Sequence, residues 1–239
     1  MTTISRDISA ADLEMALGAQ ADPDLLRQLV TLSRNAFGFY TSLFPHTINY
    51  PWVVERLRPL PAGSHILDIG AGISPVPLFL AQNGMVVDCV DNSKHQRVLP
   101  PAANWNEWGF FDYRVLHPNL SSYHCDIIAY APSATYQAIY SIGSLAHMPR
   151  AVRESTLERC HDWLRPNGLL LLAIDVIPSS DFIWNRSEGL EVEPPIRHGT
   201  IDDVADKILG LGFEIEERRV DRAVYKSRTD LLFIASRKT

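Results

Sequence analysis

The pattern of hydrophobic positions predicts an alternation of strands and helices along most of the chain. Apolar runs of strand length cover residues 65–69 and 85–90. Two more cover 136–143 and 169–174, and a helical pattern over 150–164 lies between them. Strands that alternate with helices in this way form a parallel sheet with helices packed on its faces. We therefore expect an α/β domain.

Residues 1–58 predict a helical cap ahead of an α/β core that covers 59–239. A capping-box spacing predicts a short helix over 9–18. An Asp-Pro pair predicts a helix start at residue 22, because proline lacks the N–H that the first helical turn leaves unpaired. A further proline predicts a third helix over 51–57.

The end of the chain predicts two antiparallel strands, over 213–220 and 231–236. Strands joined by so short a connection pair in antiparallel fashion. An amphipathic helix pattern precedes them and begins with a capping box at Thr200 and Asp203. A largely parallel sheet is thus expected to end in an antiparallel hairpin.

A glycine turn follows the first strand. Gly70 and Gly72 carry no side chain, and Ser74 and Pro75 predict a helix start with Ser74 as N-cap and Pro75 at the first helical position. The second strand ends in Asp91. Such a turn and helix start present backbone N–H groups to a ligand, and an acid after the second strand accepts hydrogen bonds from ribose hydroxyls. The segment therefore predicts a site for an adenosine cofactor.

The residues around this turn distinguish between adenosine cofactors. A dinucleotide fingerprint requires a third glycine, which is absent here. Asp68 precedes the first glycine by two positions. A carboxylate there would repel a pyrophosphate and suits the cationic amino-acid end of S-adenosylmethionine. The segment resembles the glycine motif and the acidic post-strand position of class I S-adenosylmethionine-dependent methyltransferases, in the variant where Ser-Pro replaces the third glycine.

The resemblance implies a Rossmann-like, doubly wound, mostly parallel seven-stranded sheet that ends in an antiparallel C-terminal hairpin. It implies S-adenosyl-L-methionine as cofactor and S-adenosyl-L-homocysteine as its product. The acid after residue 125 resembles the position that the family places near the adenine amino group. The cofactor-binding residues implied are Asp68, Gly70, Ala71, Gly72, Pro75, Asp91, Asn92, Asp126, Ile127, Ser141, Ile142 and Gly143.

Two residues after the later strands are candidates for catalysis. His147 follows the fourth predicted strand in the sequence Leu-Ala-His, where the family commonly shows Leu-Glu-His. A neutral imidazole there would act as a general base for a hydroxyl acceptor; the alternative is a residue at a helix start or against the cofactor. Asp175 ends the fifth predicted strand and is a candidate for substrate contact, with a loop-capping carboxylate as the alternative.

Aromatic residues in two segments, 37–52 and 176–199, are expected to enclose the acceptor, with Tyr40 and Trp184 as candidate contacts.

The net charge is −6, and no block of like charge stands out. Nucleic acid is disfavoured as a substrate, because phosphate binding requires a basic face. We expect a small or medium organic acceptor, such as a sugar or a natural-product scaffold, methylated on oxygen or nitrogen.

Two other functions stay open at this point. A non-catalytic subunit that binds S-adenosylmethionine gains support from Ala146, which replaces the family's acid. A nicotinamide-dependent oxidoreductase is disfavoured by Asp68, by the missing third glycine and by the terminal hairpin.

The three cysteines are scattered and predict no metal site. No apolar run has the length of a signal or membrane segment, so the expected setting is cytoplasmic. The oligomeric state is left open, with a homodimer as one option.

Overall fold

A seven-stranded sheet forms the centre of the computed structural model, which describes residues 22–40, 46–102, 104–222 and 229–239. The strands of this sheet are β1 (His65–Ile69), β2 (Val86–Asp91), β5 (Leu120–His124), β6 (Tyr136–Ile142), β7 (Leu164–Val176), β10 (Phe213–Asp221) and β11 (Asp230–Lys238). Their order across the sheet is β10-β11-β7-β6-β1-β2-β5. Two short pairs lie outside it, β3 (Gln96–Arg97) with β4 (Phe110–Phe111) and β8 (Arg186–Ser187) with β9 (Leu190–Glu191).

The pairing of the strands is mostly parallel. Strand β1 pairs in parallel with β2 and with β6, and the parallel pairs β2–β5 and β6–β7 extend the sheet in both directions. Strand β11 is antiparallel to both β7 and β10. The predicted Rossmann-like sheet with an antiparallel C-terminal hairpin is therefore confirmed.

Helices cover both faces of this sheet. They are α1 (Pro23–Phe37), α2 (His46–Leu57), α3 (Val76–Gln82), α4 (Arg150–Trp163), α5 (Pro195–His198) and α6 (Ile201–Gly210), with 3₁₀ turns at Tyr113–Val115 and Ser144–His147. Helices α1, α2 and α3 bury their apolar residues in the hydrophobic cluster on one face, and α4 and α6 in the cluster on the other. In the described part of the chain, no helix combines the length and the apolar character that a membrane crossing needs.

The N-terminal helices pack directly on the sheet. The Asp22 carboxylate caps α1 by accepting hydrogen bonds from the N–H groups of Asp24 and Leu25. The ring of Trp52 in α2 lies 4.8 Å from the ring of Phe233 in β11. These helices therefore form one layer of the core, and the predicted division at residue 58 stays a prediction.

Two local predictions are wrong in detail, and a third cannot be compared with the structure. Helix α2 starts at His46, with Pro51 inside it, because residues 47–54 are all buried and their packing outweighs the hydrogen bond that proline removes. Helix α3 begins at Val76, one residue later than predicted, although Ser74 Oγ does accept a hydrogen bond from the Val76 N–H (3.1 Å). The helix predicted over 9–18 lies outside the described residues.

A further difference concerns the start of β7. The turn predicted over 165–168 is a bulge within a longer strand that begins at Leu164. One residue of β6, Gln137, stands opposite these four residues of β7 in the pairing register. Asn167 takes a left-handed conformation (φ 62°), which asparagine tolerates better than most residues.

Two inserted segments lie at the carboxyl ends of the parallel strands. The first, 92–112, connects β2 to the 3₁₀ turn at Tyr113–Val115 and contains the β3–β4 pair. The second, 176–199, follows β7 and is anchored at its end: His198 is fully buried, its Nε2 lies 3.0 Å from the Ala146 carbonyl oxygen, and its own carbonyl accepts a hydrogen bond from Arg153. The first insert is held at the same edge of the sheet by a hydrogen bond from the Ile73 N–H to the Glu107 carbonyl oxygen (2.9 Å), so both inserts lie close to the candidate site residues.

The capping box at the start of α6 generates a prediction about stability. Thr200 Oγ1 accepts a hydrogen bond from the Asp203 N–H (3.2 Å), and the Asp203 carboxylate accepts one from the Thr200 N–H (2.7 Å). Thr200→Ala should lower the free energy of unfolding by about 1 kcal/mol in denaturant titration, because it removes the cap. Thr31→Ala, at an exposed position within α1, is the control and should leave stability unchanged or slightly raised. An unchanged midpoint for Thr200→Ala would contradict the role of the cap.

Candidate functional site

The glycine turn after β1 passes very close to two neighbouring segments. Gly70 and Gly72 have positive φ angles of 72° and 51°. A Cβ atom on Gly70 would lie 2.2 Å from the Cβ of Ser144, and one on Gly72 would lie 2.5 Å from the Glu107 carbonyl oxygen. Only glycine fits this backbone at such separations. The glycines thus let the turn contact both the 3₁₀ turn after β6 and the first insert.

The hydroxyl of Tyr113 holds the end of this turn. It accepts a hydrogen bond from the Ser74 N–H (2.8 Å) and lies 3.1 Å from the carbonyl oxygens of both Gly72 and Ser74. The side chain is fully buried. Because one hydroxyl satisfies backbone groups on both sides of residue 73, it fixes the direction in which the chain enters α3 at Val76.

Asp68 carries a buried carboxyl group beside the turn. It is 3% exposed, and its Oδ2 accepts a hydrogen bond from the Tyr140 hydroxyl (2.8 Å). Burial raises the pKa of Asp68 to about 8, although the bond from Tyr140 acts in the opposite direction. A cation placed next to it would offset the cost of burying the charge. The carboxyl group is therefore suited to the positive end of a ligand.

A small cavity joins Asp68 to the glycine turn and to the first insert. Its lining residues are Tyr50, Asp68, Gly70, Ala71, Gly72, Ser74, Glu107 and Ile142. Two of them, Asp68 and Glu107, carry carboxyl groups, and no lysine or arginine is among the described residues that line the cavity. The predicted residues Gly70, Ala71, Gly72 and Ile142 are thus brought together with Asp68 around one space.

Two further acidic residues lie where neighbouring strands end, Asp91 at the end of β2 and Asp126 just after β5. Asp91 accepts hydrogen bonds from the Gly72 N–H on Oδ2 (3.0 Å) and from the Ser93 N–H on Oδ1 (2.7 Å). Burial raises its pKa, and the two backbone bonds oppose that rise. Asn92 Nδ2 lies 3.3 Å from Asp126 Oδ2. The structure therefore places Asp91, Asn92 and Asp126 at neighbouring strand ends.

Three predicted cofactor residues have roles inside the protein. Ser141 is buried and its Oγ donates a hydrogen bond to the Ile69 carbonyl oxygen (2.9 Å), as Ser144 Oγ does at 2.8 Å. Ile127 is 5% exposed and belongs to the hydrophobic cluster under α4. Gly143 has a φ of 75° and turns the chain out of β6. Cofactor contacts by these three residues stay predictions.

His147 connects the two inserts. Its Nδ1 lies 2.6 Å from the Arg186 carbonyl oxygen in the second insert, and its ring meets the ring of Trp108 in the first insert edge to face, with centroids 5.2 Å apart. Because a carbonyl oxygen only accepts, Nδ1 carries the hydrogen and Nε2 keeps its lone pair. Burial lowers the pKa of the imidazole. The ring is therefore a neutral base with Nε2 as its accepting atom.

Asp175 lies at the end of β7, next to Gly143. A Cβ on Gly143 would be 3.6 Å from Asp175 Oδ2. The Asp175 Oδ1 atom is buried, and no described residue donates a hydrogen bond to it. The main-chain carbonyl oxygen of Asp175 accepts a hydrogen bond from the Trp184 N–H (2.9 Å), so the second insert folds back onto this residue.

The two candidate substrate contacts differ in accessibility. Tyr40 is 1% exposed, and its hydroxyl donates to the His46 carbonyl oxygen (3.1 Å). Its ring packs edge to face on Tyr50, which lines the cavity. Trp184 is partly exposed, and its Nε1 donates to the same Arg186 carbonyl that His147 contacts (3.1 Å). The prediction for Tyr40 thus requires an effect transmitted through Tyr50.

Comparison with known proteins supports the expected fold. No family model matches the chain. A curated relative, the S-adenosyl-L-methionine-dependent Diels-Alderase iccD of Talaromyces variabilis, is 30% identical over 152 residues, which cover 61% of this chain and 50% of the relative. The chain thus spans about half the length of this relative.

Three solved structures share the architecture. A putative S-adenosylmethionine-dependent methyltransferase from Listeria monocytogenes matches with a TM-score of 0.56 and 17% identity, covering 78% of this chain and 97% of that one. The chain has the class I methyltransferase fold. The 1,6-didemethyltoxoflavin-N1-methyltransferase of Burkholderia thailandensis matches at 0.57 and 19% identity (96% and 88% covered), and the [4+2]-cyclase SpnF at 0.57 and 16% (80% and 80%).

The methyltransferase fold places several residues at the site that sequence reasoning missed. Glu107 and Trp108 come from the first insert, Tyr50 comes from α2, and Tyr113 holds the glycine turn. Tyr50 lies in the aromatic segment 37–52, in which the sequence predicts acceptor contacts, but no pattern in the sequence connects Glu107, Trp108 or Tyr113 to the glycine motif. Among the described residues, no group of three His, Cys, Asp or Glu side chains has a metal-binding arrangement.

The geometry of Asp91 generates a prediction about cofactor binding. Asp91→Ala should lower the affinity for S-adenosylmethionine at least tenfold in calorimetric titration, because a hydrogen bond to a charged group contributes about 1.5–3 kcal/mol. The same change also frees the Gly72 N–H and loosens the turn. Asp162→Ala is the control, since its side chain is 78% exposed at the end of α4, and it should bind normally. Unchanged affinity in Asp91→Ala would contradict the assignment.

Proposed function

We propose that this chain is an enzyme that binds S-adenosylmethionine and transfers its methyl group to an oxygen or nitrogen of a small or medium organic acceptor. The observation that carries the proposal is the pair of acidic residues at the glycine turn. The Asp68 carboxyl group is buried beside the turn, and Asp91 accepts a hydrogen bond from the Gly72 N–H within it. An acid at each of these positions suits a ligand with a cationic end and a ribose.

Each acidic residue has capacity for the cofactor. Asp68, held by Tyr140, would bind the ammonium group of the amino-acid end. Each oxygen of Asp91 uses one lone pair for a backbone N–H and retains another for a ribose hydroxyl. Asp126 would accept from the adenine amino group, next to Asn92. The two carboxyls of the cavity, Asp68 and Glu107, would favour the positively charged cofactor over its neutral-sulfur product.

The bound cofactor supplies an activated methyl group, so the protein contributes mainly proximity and orientation. In the transfer, the bond from carbon to the acceptor forms as the carbon–sulfur bond breaks, and the sulfur leaves as a neutral thioether. A hydroxyl acceptor must also lose its proton. Nε2 of His147 would take it, because Nδ1 is already engaged with the Arg186 carbonyl.

The acceptor would lie between the two inserts. Trp108 is 49% exposed although its ring contacts His147, and Trp184 lies across the Arg186 carbonyl from the same histidine. An acceptor that packs against these two indole rings would have a planar, largely apolar framework. This supports a natural-product scaffold over a sugar.

A second candidate function is a cyclisation that keeps the cofactor intact. The curated relative is named as a Diels-Alderase, and one of the matching structures is a [4+2]-cyclase. In such a reaction the methyl group stays on sulfur and the product is an isomer of the substrate. Next to the candidate base, Ala146 stands where the methyltransferase motif usually has an acid. An alanine cannot take part in proton transfer, which a cyclisation requires less than methyl transfer to a hydroxyl does.

One experiment separates the two functions. The protein is incubated with methyl-labelled S-adenosylmethionine and a metabolite extract of the producing cell. Methyl transfer predicts a labelled small-molecule product together with an equal amount of S-adenosylhomocysteine. Cyclisation predicts an unlabelled isomer, formed only when cofactor is present and without cofactor consumption. Label recovered in protein or nucleic acid would contradict both.

His147 provides a prediction for methyl transfer to a hydroxyl. His147→Ala should reduce the rate by about 10²–10⁴-fold, the usual range for a general base. Because burial lowers the pKa of His147, the wild-type rate should rise with pH only below the ordinary histidine value of about 6.5 and then stay level. His147→Gln is the matched variant that retains a side-chain N–H for the Arg186 carbonyl but has no basic nitrogen. Near-normal turnover of either variant on a confirmed hydroxyl acceptor would contradict the role of base.

A further inference from the structure

One carboxyl oxygen of the partly buried residue Asp175 is a buried polar atom that has no partner in the described part of the chain. This oxygen is Oδ1. Buried polar atoms in native proteins are almost always paired, so an exception at a strand end calls for an external partner. The described loop residues donate no hydrogen bond to Oδ1, so the alternative of a loop-capping carboxylate lacks support.

The position of this carboxyl group is next to the proposed cofactor site. A Cβ atom built on Gly143 would lie 3.6 Å from Asp175 Oδ2, so the carboxyl group is next to the Gly143 backbone. Ile142, which precedes Gly143, lines the cavity that contains Asp68. On its other side, the main chain of Asp175 is bonded to Trp184 of the second insert. The carboxyl group thus lies between the cofactor cavity and the segment expected to cover the acceptor.

Among the described residues of the elements around it, no cationic side chain is hydrogen-bonded or ion-paired to Asp175. On β11, the carboxylate of Asp230 lies 3.1 Å from Arg222, so that pair is already formed. On the 3₁₀ turn, His147 is neutral and bonded to the Arg186 carbonyl. Burial alone raises the pKa of Asp175 to about 7. Below neutral pH the group is therefore largely a carboxylic acid, which can donate a hydrogen bond as well as accept one.

We propose that Asp175, as a neutral carboxylic acid, donates a hydrogen bond to an uncharged oxygen of the acceptor, so that the acceptor carries a carbonyl group, as in a ketone, amide or lactone. This assignment rests on the proposed function, which places the acceptor beside the cofactor. The hydrogen bond withdraws electron density from the carbonyl. It would make a conjugated hydroxyl or N–H more acidic for methylation, and a conjugated double bond more reactive in a cyclisation.

The decisive test compares two substitutions on the identified acceptor. Asp175→Asn remains neutral and keeps an N–H donor, so its KM should stay within a few-fold of the wild-type value. Asp175→Leu has no donor, and its KM should rise at least tenfold. The wild-type KM should also rise as pH increases through about 7, whereas the Asn variant should lack this change. Asp162→Asn, at an exposed position, should behave as wild type.

Two results would overturn the proposal. An Asn variant as impaired as the Leu variant would show that an ionised carboxylate is needed, as for a cationic acceptor or a base. A Leu variant with unchanged KM would show that Asp175 does not contact the acceptor. Calorimetry with S-adenosylmethionine separates this from the proposed function: all variants should bind the cofactor, and failure of the wild-type protein to bind it would overturn the proposed function itself.

A measurement without acceptor tests the neutral state directly. The folded-state pKa of about 7 lies above the ordinary aspartate value of about 3.9, so the folded protein binds this proton more tightly than the unfolded chain. The wild-type melting temperature should therefore fall relative to that of Asp175→Asn as pH rises from about 4 to about 7, and the difference should then stay constant. A difference that does not change with pH would contradict the neutral acid.

Discussion

The close approach of the glycine turn to its neighbours is the constraint on which the rest of the site depends. Gly70 and Gly72 allow the chain to pass against Ser144 and against the Glu107 carbonyl, and the Tyr113 hydroxyl fixes that path. The turn thereby brings together residues from β1, β6 and the first insert. Any side chain at either glycine would separate these segments before it met a ligand. The glycines are thus required by the protein's own packing as well as by a cofactor.

The core of the fold could be predicted from local signals. The strand patterns, the capping boxes and the short C-terminal connection each depend on residues close in sequence, so alternation and spacing were sufficient. The same holds for Asp68 and Asp91, which stand at fixed distances from the turn. The start of α2 could not be predicted, because tertiary burial of residues 47–54 outweighs the proline signal.

The walls of the site depend on long-range packing, and the sequence did not reveal them. Glu107 and Trp108 reach the cavity and His147 only because the first insert folds back over the glycine turn. Tyr40 belongs to an aromatic stretch that suggested ligand contact, yet its ring is buried and its hydroxyl is bonded to the His46 carbonyl. Aromatic density alone does not distinguish a wall from the layer behind it.

The Arg186 carbonyl receives donors from both His147 and Trp184. One backbone oxygen thereby couples the position of the second insert to the tautomer of an imidazole. While the insert is in place, the proton is confined to Nδ1 and the basic lone pair is directed away from the carbonyl. If the insert withdrew, this constraint would be lost and either ring nitrogen could carry the proton. The position of the second insert and the availability of the basic lone pair on Nε2 are thus linked through one backbone oxygen.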